Sequence, residues 1–297
     1  PWSPPAWMKT NDSLIGGSLR PEAYGPYARY FAAFVRAYEA EGIPVDAVTV
    51  QNEPLHSPAA YPGMLMSARE QASFVGSHLG PEFAARGIKT RIIAYDHNWD
   101  RPDYPISVLS DPAANPYLAG SAFHAYAGDA SAQSTVRDAF PDKSIHFTEI
   151  TCGRWSRSFA DNLKWDLSKV VIGATRNWAR TITRWNIALD QNNGPTNGGC
   201  ETCKGMVTVH TKRGSVTYNV DYYSLGHVSK FVLPGALRVA STHQPGGLES
   251  VAFRNPDGSR VAVILNASAG ARSFRLRHLG QSAPLNLPAG AVATVRW

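Results

Sequence analysis

The chain has 297 residues, 43% hydrophobic and 18% charged, which is ordinary for a globular protein and enough to bury a sizeable core in one large or two medium domains. Lysine and arginine exceed aspartate and glutamate by 29 − 23 = 6, but no block of five or more basic residues occurs, which leaves a nucleic-acid-binding or membrane-binding arm unsupported. No apolar run reaches the ~18 residues of a spanning helix, so no membrane span is expected.

The opening stretch Pro1-Trp2-Ser3-Pro4-Pro5-Ala6-Trp7-Met8-Lys9 lacks an initiator methionine and reads as a loop, so a preceding segment is expected upstream. Pro21 to Gly42 carries Tyr27, Tyr30, Phe31, Phe34, Val35 and Tyr38 at helical spacing and ends on glycine, which predicts an amphipathic helix. Val45 to Val50 predicts a buried strand, and Ser67 to Arg86 a helix closed at Gly87. Further strands are predicted at Thr90–Tyr95, Ala119–Phe123, Ser144–Thr148 and Thr181–Trp185, with helices at Ala132–Phe140 and about Phe159–Ala179. Strand and helix in alternation mean a parallel sheet with crossover helices. Five strands fall short of the eight, over ~250 residues, of a closed (β/α)8 TIM barrel. The sheet is therefore an open doubly wound one, or a barrel whose first strands lie outside this chain.

From about Gly205 short alternating runs are separated by turn signals such as Asn255-Pro256-Asp257-Gly258. The runs Met206–Thr211, Ser215–Asn219, Ala236–Ala240, Ser250–Arg254, Arg260–Asn266, Ala271–Arg277 and Val292–Trp297 predict an antiparallel β-sandwich, joined through a helix over Tyr222–Phe231. The expected division is a β/α domain over residues 1–204 and a sandwich over residues 205–297. Of the three cysteines, Cys200 and Cys203 form a single CxxC, which excludes a four-thiolate zinc site. They read as a loop-stapling disulfide or as two free thiols, and Cys152 as a small buried hydrophobe.

Polar side chains gather where the predicted parallel strands end: Gln51-Asn52-Glu53, Asp96 to Asp100, His124 with Tyr126, Glu149, and Trp185 with Asn186. Barrel enzymes build their sites on that face. Glu53 and Glu149 each follow an apolar run, and a buried carboxylate is costly unless something uses or neutralises it. Two carboxylates flanking a glycosidic bond are what sugar hydrolysis requires, one protonating the leaving oxygen and the other attacking or activating water. Asp96, His97, Asn98, Trp99 and Asp100 have the composition of a metal cluster, but no convincing partner ligands accompany them. They read as subsite lining, through Asp96 and Trp99, or as a structural loop. No cofactor or metal is expected.

Gln51-Asn52-Glu53-Pro54 and Phe147-Thr148-Glu149, preceded by Ser3-Pro4-Pro5-Ala6-Trp7-Met8-Lys9 and followed by Trp185-Asn186-Ile187-Ala188-Leu189-Asp190 and Tyr222 to Phe231, resemble glycoside hydrolase family 30. That family includes glucosylceramidases and β-1,6-glucanases. The resemblance implies a (β/α)8 barrel with a β-sandwich at its side and hydrolysis with retained anomeric configuration. It makes Glu53, at the end of the fourth barrel strand, the acid/base and Glu149, at the end of the seventh, the nucleophile. The five predicted strands become the fourth to the eighth. Asn52 is then the contact to the sugar 2-hydroxyl, His124 and Tyr126 lie near the nucleophile, and Trp7 and Trp185 wall the sugar.

The polar loop from Asn192 to Cys200 looks like the glucanase and glucosidase branches of the family. The implied substrate is a β-glucan or β-glucoside, first a β-1,6-glucan, with an exo-acting β-glucosidase or glucosylceramidase-like enzyme and a sugar-binding relic as alternatives. Such an enzyme is expected to be secreted. A barrel lacking strands exposes sheet edges, so a partner segment or a second copy is expected to cover the gap unless the chain is a fragment.

Overall fold

The computed structural model describes residues 1–155 and 158–297. By internal contacts the chain groups into two units, Pro1–Glu149 with Trp178–Thr183 and Asn197–Gly199, and Ile150–Asn177 with Arg184–Thr196 and Cys200–Trp297. This grouping cuts across the expected division at residue 204.

In the first unit, helix α1 (Tyr24–Ala40) follows a 3₁₀ turn that opens on Pro21, where proline has no amide hydrogen to leave unpaired. Of the six apolar residues expected on one face, the row Tyr27, Phe31 and Val35 is buried, while Tyr30, Phe34 and Tyr38 form a second row in solvent. Each row repeats every four residues, so the two lie side by side on the helix. Only the first meets Phe74 of the next helix, with Tyr27 and Phe31 ring centroids at 5.4 and 6.2 Å.

Strand β1 (Ala47–Thr49) comes next, then one helical stretch made of α2 (Ala68–Phe74), a wide π-type turn and α3 (Gly80–Ala85). Ser67 starts it with a capping box: its hydroxyl accepts from the Glu70 amide and Glu70 accepts from the Ser67 amide. Ser67→Ala is expected to cost about 1 kcal/mol, read as a lower urea midpoint at unchanged slope.

The unit continues with β2 (Arg91–Asn98), α4 (Asp103–Ser110), β3 (Leu118–His124), α5 (Ser131–Ala139) and β4 (Ser144–Glu149). After β5 (Cys152–Gly153) and α6 (Phe159–Trp165), which runs on as a π-type helix through Ala174 and belongs with β5 to the second unit, the chain adds β6 (Ala179–Ile182) to the first. The sheet order is β1-β2-β3-β4-β6, and every neighbouring pair is parallel.

Three details set the site. A Cβ on Gly120 would lie 1.9 Å from the Ser144 carbonyl oxygen, so only glycine lets β3 and β4 approach there. The β2–β3 ladder slips between Tyr95 and His97, where Tyr95 and Asp96 take left-handed φ values of 73° and 75°. A bulge of this kind re-aims a side chain at the end of a strand. Asp96, His97 and Asn98 therefore belong to β2 and not to a loop, and α4, an eight-residue helix that starts after Pro102, went unpredicted.

The second unit holds β7 (Ala188–Asp190), β8 (Cys203–Lys204), β9 (Val207–His210), β10 (Ser215–Tyr218) and α7 (Val220–Ser229). Its remaining strands are β11 (Leu237–Val239), β12 (Leu248–Arg254), β13 (Arg260–Asn266), β14 (Arg272–His278), β15 (Gln281–Leu287) and β16 (Val292–Arg296). The sheet β11-β12-β13-β16 shares a core with the hairpin β14–β15: Ala252, Ala262 and Ile264 pack with Leu287, Phe274 and Leu276. The runs now seen as β9 and β10 lie outside this sandwich, because β9 pairs with β10 and β7 instead.

Strand β15 escaped prediction because it contains Pro284. The residue is tolerated where the two-stranded sheet leaves an edge free. Cys200 and Cys203 are disulfide-bonded, with Cα atoms 5.5 Å apart. Cys152 is more than a hydrophobe: its thiol donates to Asp221 Oδ1 at 2.8 Å. No helix among the described residues is long and apolar enough to cross a membrane.

Candidate active site

The carboxyl ends of β2, β3 and β4, with the turn that follows β1, bring Asp96, His124, Glu149 and Glu53 together. The centre is His124, which has no exposed surface. Its Nδ1 lies 3.1 Å from Glu53 Oε1, and its Nε2 lies 3.0 Å from Asp96 Oδ1 and 4.0 Å from Glu149 Oε2. Asp96, beneath it, accepts from the hydroxyls of Thr49 and Thr148, both at 2.6 Å. Its backbone carbonyl accepts the Glu53 amide at 2.9 Å. Glu53 itself sits at φ 45°, a strained conformation for a non-glycine residue of the kind that collects at functional sites.

One carboxylate oxygen of Glu53, one of Glu149 and a ring nitrogen of His124 all lie within 4.8 Å of one another. Tyr126 OH donates to Glu149 Oε1 at 3.1 Å, and the Asn98 side chain fixes the Tyr126 amide. The Asn52 amide satisfies its neighbours in one orientation. In it the NH₂ donates to Glu149 Oε2 and the carbonyl accepts from Trp2 Nε1, each at 3.3 Å.

These placements pull the titrating groups apart. Burial opposes charge on His124, but hydrogen bonds to Asp96 and Glu53 overcome it and push the imidazole up to about 10. Burial alone would raise Asp96, yet His124 and the two threonine hydroxyls bring it down to about 2. Glu53 ends below its ordinary value, because His124 outweighs the burial that would raise it. Glu149 is pushed up to about 7 by burial and the negative charges of Glu53 and Asp96, against the pull of His124 and Tyr126. These directions favour a protonated His124, one hydrogen bond from Glu53.

Of the expected site residues, Glu53, Glu149, Asn52, His124 and Tyr126 converge. Asp96 is present but buried beneath the site, bonded to His124, and does not line it. Trp99 is a core residue, its indole NH donating to Gln133 at 2.7 Å and its ring 5.5 Å from Phe147. It is corrected from subsite lining to packing, since the strand extends through Asn98 and turns the following side chain inward. Trp7 is 60% exposed in a short 3₁₀ turn. Trp185 lies beyond the end of β6, half-buried in the second unit.

Sequence reasoning missed Thr49, Thr148 and Trp2. The threonines passed as β-branched strand formers, although Thr148 adjoins Glu149. Trp2 was passed over for Trp7, five residues on. Glu53, His124 and Glu149 are also the group among the described residues whose spacing would admit a cation. Both nitrogens of His124 are engaged by carboxylates, so a cation would have to displace one of those partners.

Two carboxylates this close, at the carboxyl ends of parallel strands linked by helices, define a protein built on the plan of the retaining barrel glycosidases. The chain belongs to glycosyl hydrolase family 30: the model of that family's TIM-barrel domain matches residues 1–232, and the model of its beta sandwich domain matches residues 235–295. It is 38% identical to an endo-1,6-beta-D-glucanase of Neurospora crassa, over 90% of this chain and 57% of that protein. It is 32% identical to the endo-1,6-beta-D-glucanase BGN16.3 of Trichoderma harzianum, over 99% of this chain and 62% of that one. The chain thus spans about six-tenths of the length of these relatives. The solved structure of the endo-beta1,6-glucanase BT3312 matches with a TM-score of 0.93 and 35% identity, covering 100% of this chain and 70% of that one.

Proposed function

We propose that the protein hydrolyses β-1,6-linked glucan with retention of configuration, Glu149 acting as nucleophile and Glu53 as acid/base. The observation that carries this reading is the pair of carboxylate oxygens within 4.8 Å. That spacing matches the ~5–5.5 Å of a double displacement and leaves no room for the water that an inverting pair holds across ~6.5–9.5 Å. The names of the similar proteins support the linkage.

In this mechanism Glu149 attacks the anomeric carbon while Glu53 protonates the departing oxygen. His124 supplies the proton across the 3.1 Å bond that it already makes to Glu53. Once Glu149 is esterified by the sugar, its negative charge is gone and nothing on that side opposes the charge left on Glu53 when it gives up its proton. It is then ionised and accepts a proton from the incoming water. Asn52 and Tyr126, which hold Glu149 in the free site, are placed to hand their donors to the sugar as the transition state forms.

Digestion of pustulan, a β-1,6-glucan, tests the reading. A ladder of short oligosaccharides is expected, with laminarin untouched, whereas glucose alone would make the enzyme exo-acting and an undigested polymer would overturn the assignment. We place the activity outside the cell, where polymeric glucan is met; the Cys200–Cys203 disulfide fits an oxidising compartment.

Tyr126→Phe offers a check on Glu149. The phenol stabilises the ionised carboxylate, so its loss raises the Glu149 pKa. Activity that requires ionised Glu149 should then fail earlier as pH falls. The acid limb of kcat/KM is expected to move up by about one pH unit, the worth of one hydrogen bond to a charged group.

A further inference from the structure

The segment after β1 carries polar side chains that the mechanism does not use. The His56 amide donates to the Glu53 carbonyl at 2.8 Å, closing a tight turn that starts at the proposed proton donor. His56 Nε2 lies 3.1 Å from Tyr61 OH, and the Tyr61 ring centroid lies 5.5 Å from that of Trp2, the partner of Asn52. Through Trp2 and Asn52 the Tyr61 ring is linked to Glu149. Burial and then the charges of Glu53 and Glu149 push the Tyr61 phenol up, and His56 is among the groups that hold Glu53 down.

Core packing does not account for the pair, because His56 is exposed and Tyr61 only half-buried. The loop is nevertheless fixed. Two residues beyond Tyr61, the Gly63 carbonyl accepts from Lys9 Nζ at 2.7 Å, and that fully buried ammonium also bonds Ser3 Oγ and the Leu14 carbonyl. The Met66 amide donates to the Pro54 carbonyl at 2.9 Å and closes the other side. An imidazole and a phenol held on a braced loop beside the proposed proton donor are suited to the hydroxyls of the sugar that departs.

We propose that His56 and Tyr61 form the leaving-group subsite, binding the hydroxyls of the departing glucose residue and selecting an oligosaccharide leaving group over one that has no sugar. This rests on the reading of Glu53 as the proton donor of a β-1,6-glucanase. The imidazole and phenol each offer one donor or acceptor to the ring, and the flat Tyr61 face beside Trp2 offers apolar contact to its carbons.

Two substrates read the subsite directly: a β-1,6-linked glucotetraose, whose leaving group is a sugar, and 4-nitrophenyl β-gentiobioside, from which nitrophenol departs. In His56→Ala and in Tyr61→Phe, the ratio of kcat/KM for the tetraose to that for the aryl glycoside is expected to fall about tenfold, the loss of a sugar-hydroxyl hydrogen bond. Transfer of glucosyl groups to added gentiobiose should fall in parallel, because the acceptor enters the same place. An unchanged ratio in both variants overturns the proposal. So does an equal fall on the two substrates, which would mark damage to Glu53 itself. If the wild-type chain turns over neither substrate, the reading of the function falls first and takes the subsite with it. Turnover by the wild type with an unchanged ratio removes the subsite alone.

Discussion

Glu149→Ala is expected to lower kcat on 4-nitrophenyl β-gentiobioside by roughly four orders of magnitude, the scale on which covalent enzymes lose rate when the nucleophile goes. Sodium azide should restore part of the rate and yield a glycosyl azide of α configuration. Azide fills the space vacated by the carboxylate and displaces the aryl group directly, with inversion. Glu53→Ala should behave differently. Glu149 still forms the covalent intermediate when the leaving group needs no proton, and azide then attacks from the opposite face to give the β-azide.

The stereochemical pair matters because the free site does not display the roles on its surface: Glu53 is held low while Glu149 is pushed up to about 7. Read one carboxyl at a time, those directions would make Glu149 the acid. In the proposed mechanism the proton comes from His124, beside Glu53, and the donors aimed at Glu149 by Tyr126 and Asn52 favour an ionised nucleophile. If Glu149→Ala yielded the β-azide and Glu53→Ala the α-azide, the roles would be reversed.

The two carboxylates were legible in the sequence because each ends a β-branched or apolar run, and a strand that stops on an ionisable side chain needs a reason. His124 and Tyr126 were legible as polar residues at a predicted strand end, and the family resemblance supplied their place near the nucleophile. Asp96 was legible as a site residue but not in its position. The bulge at Tyr95 and Asp96 inserts a residue into β2 and turns the carboxylate under His124, and no local propensity announces a bulge formed by two non-glycine residues. Trp99 misled for the same reason, since it was counted into a loop that the strand absorbs.

His56 and Tyr61 carried no sequence signal. Their meeting depends on the turn at Glu53 and on the anchor at Lys9, forty-four residues before Glu53 in the sequence (53 − 9 = 44). Sandwich strands were legible wherever an apolar, β-branched run lay between turn signals, as in Arg260–Asn266, and lost at β15, where a proline sits on an edge. Long-range partners are what the sequence withholds. Alternation predicts which face is buried, not which side chain waits there.

Asp166→Ala should be among the most destabilising single changes in the chain. Arg184 and Asp166 form a two-pronged pair at 2.5 and 2.7 Å, with side chains only 2% and 1% exposed. Removing the carboxylate leaves a buried guanidinium without its partner, a loss of about 3–5 kcal/mol. Asp221 reaches Arg184 electrostatically and supports its charge, but it is already engaged by the thiol and amide of Cys152 at 2.8 and 3.2 Å. Its own carboxyl is pushed up, first by burial and then by Asp166. Asp221 therefore replaces Asp166 only by giving up the contacts that hold the chain just after β4.

The double variant Asp166→Ala/Arg184→Met separates charge from packing, because it removes both ions and keeps an apolar side chain of similar length. It is expected to recover a large part of the loss, since most of the penalty belongs to the stranded charge rather than to the missing bond. Denaturant midpoints of four proteins, the wild type, Asp166→Ala, Arg184→Met and the double variant, measured on the whole chain, give the answer. A double variant as unstable as the sum of the two single ones would show no coupling between the two side chains and overturn the stranded-charge account.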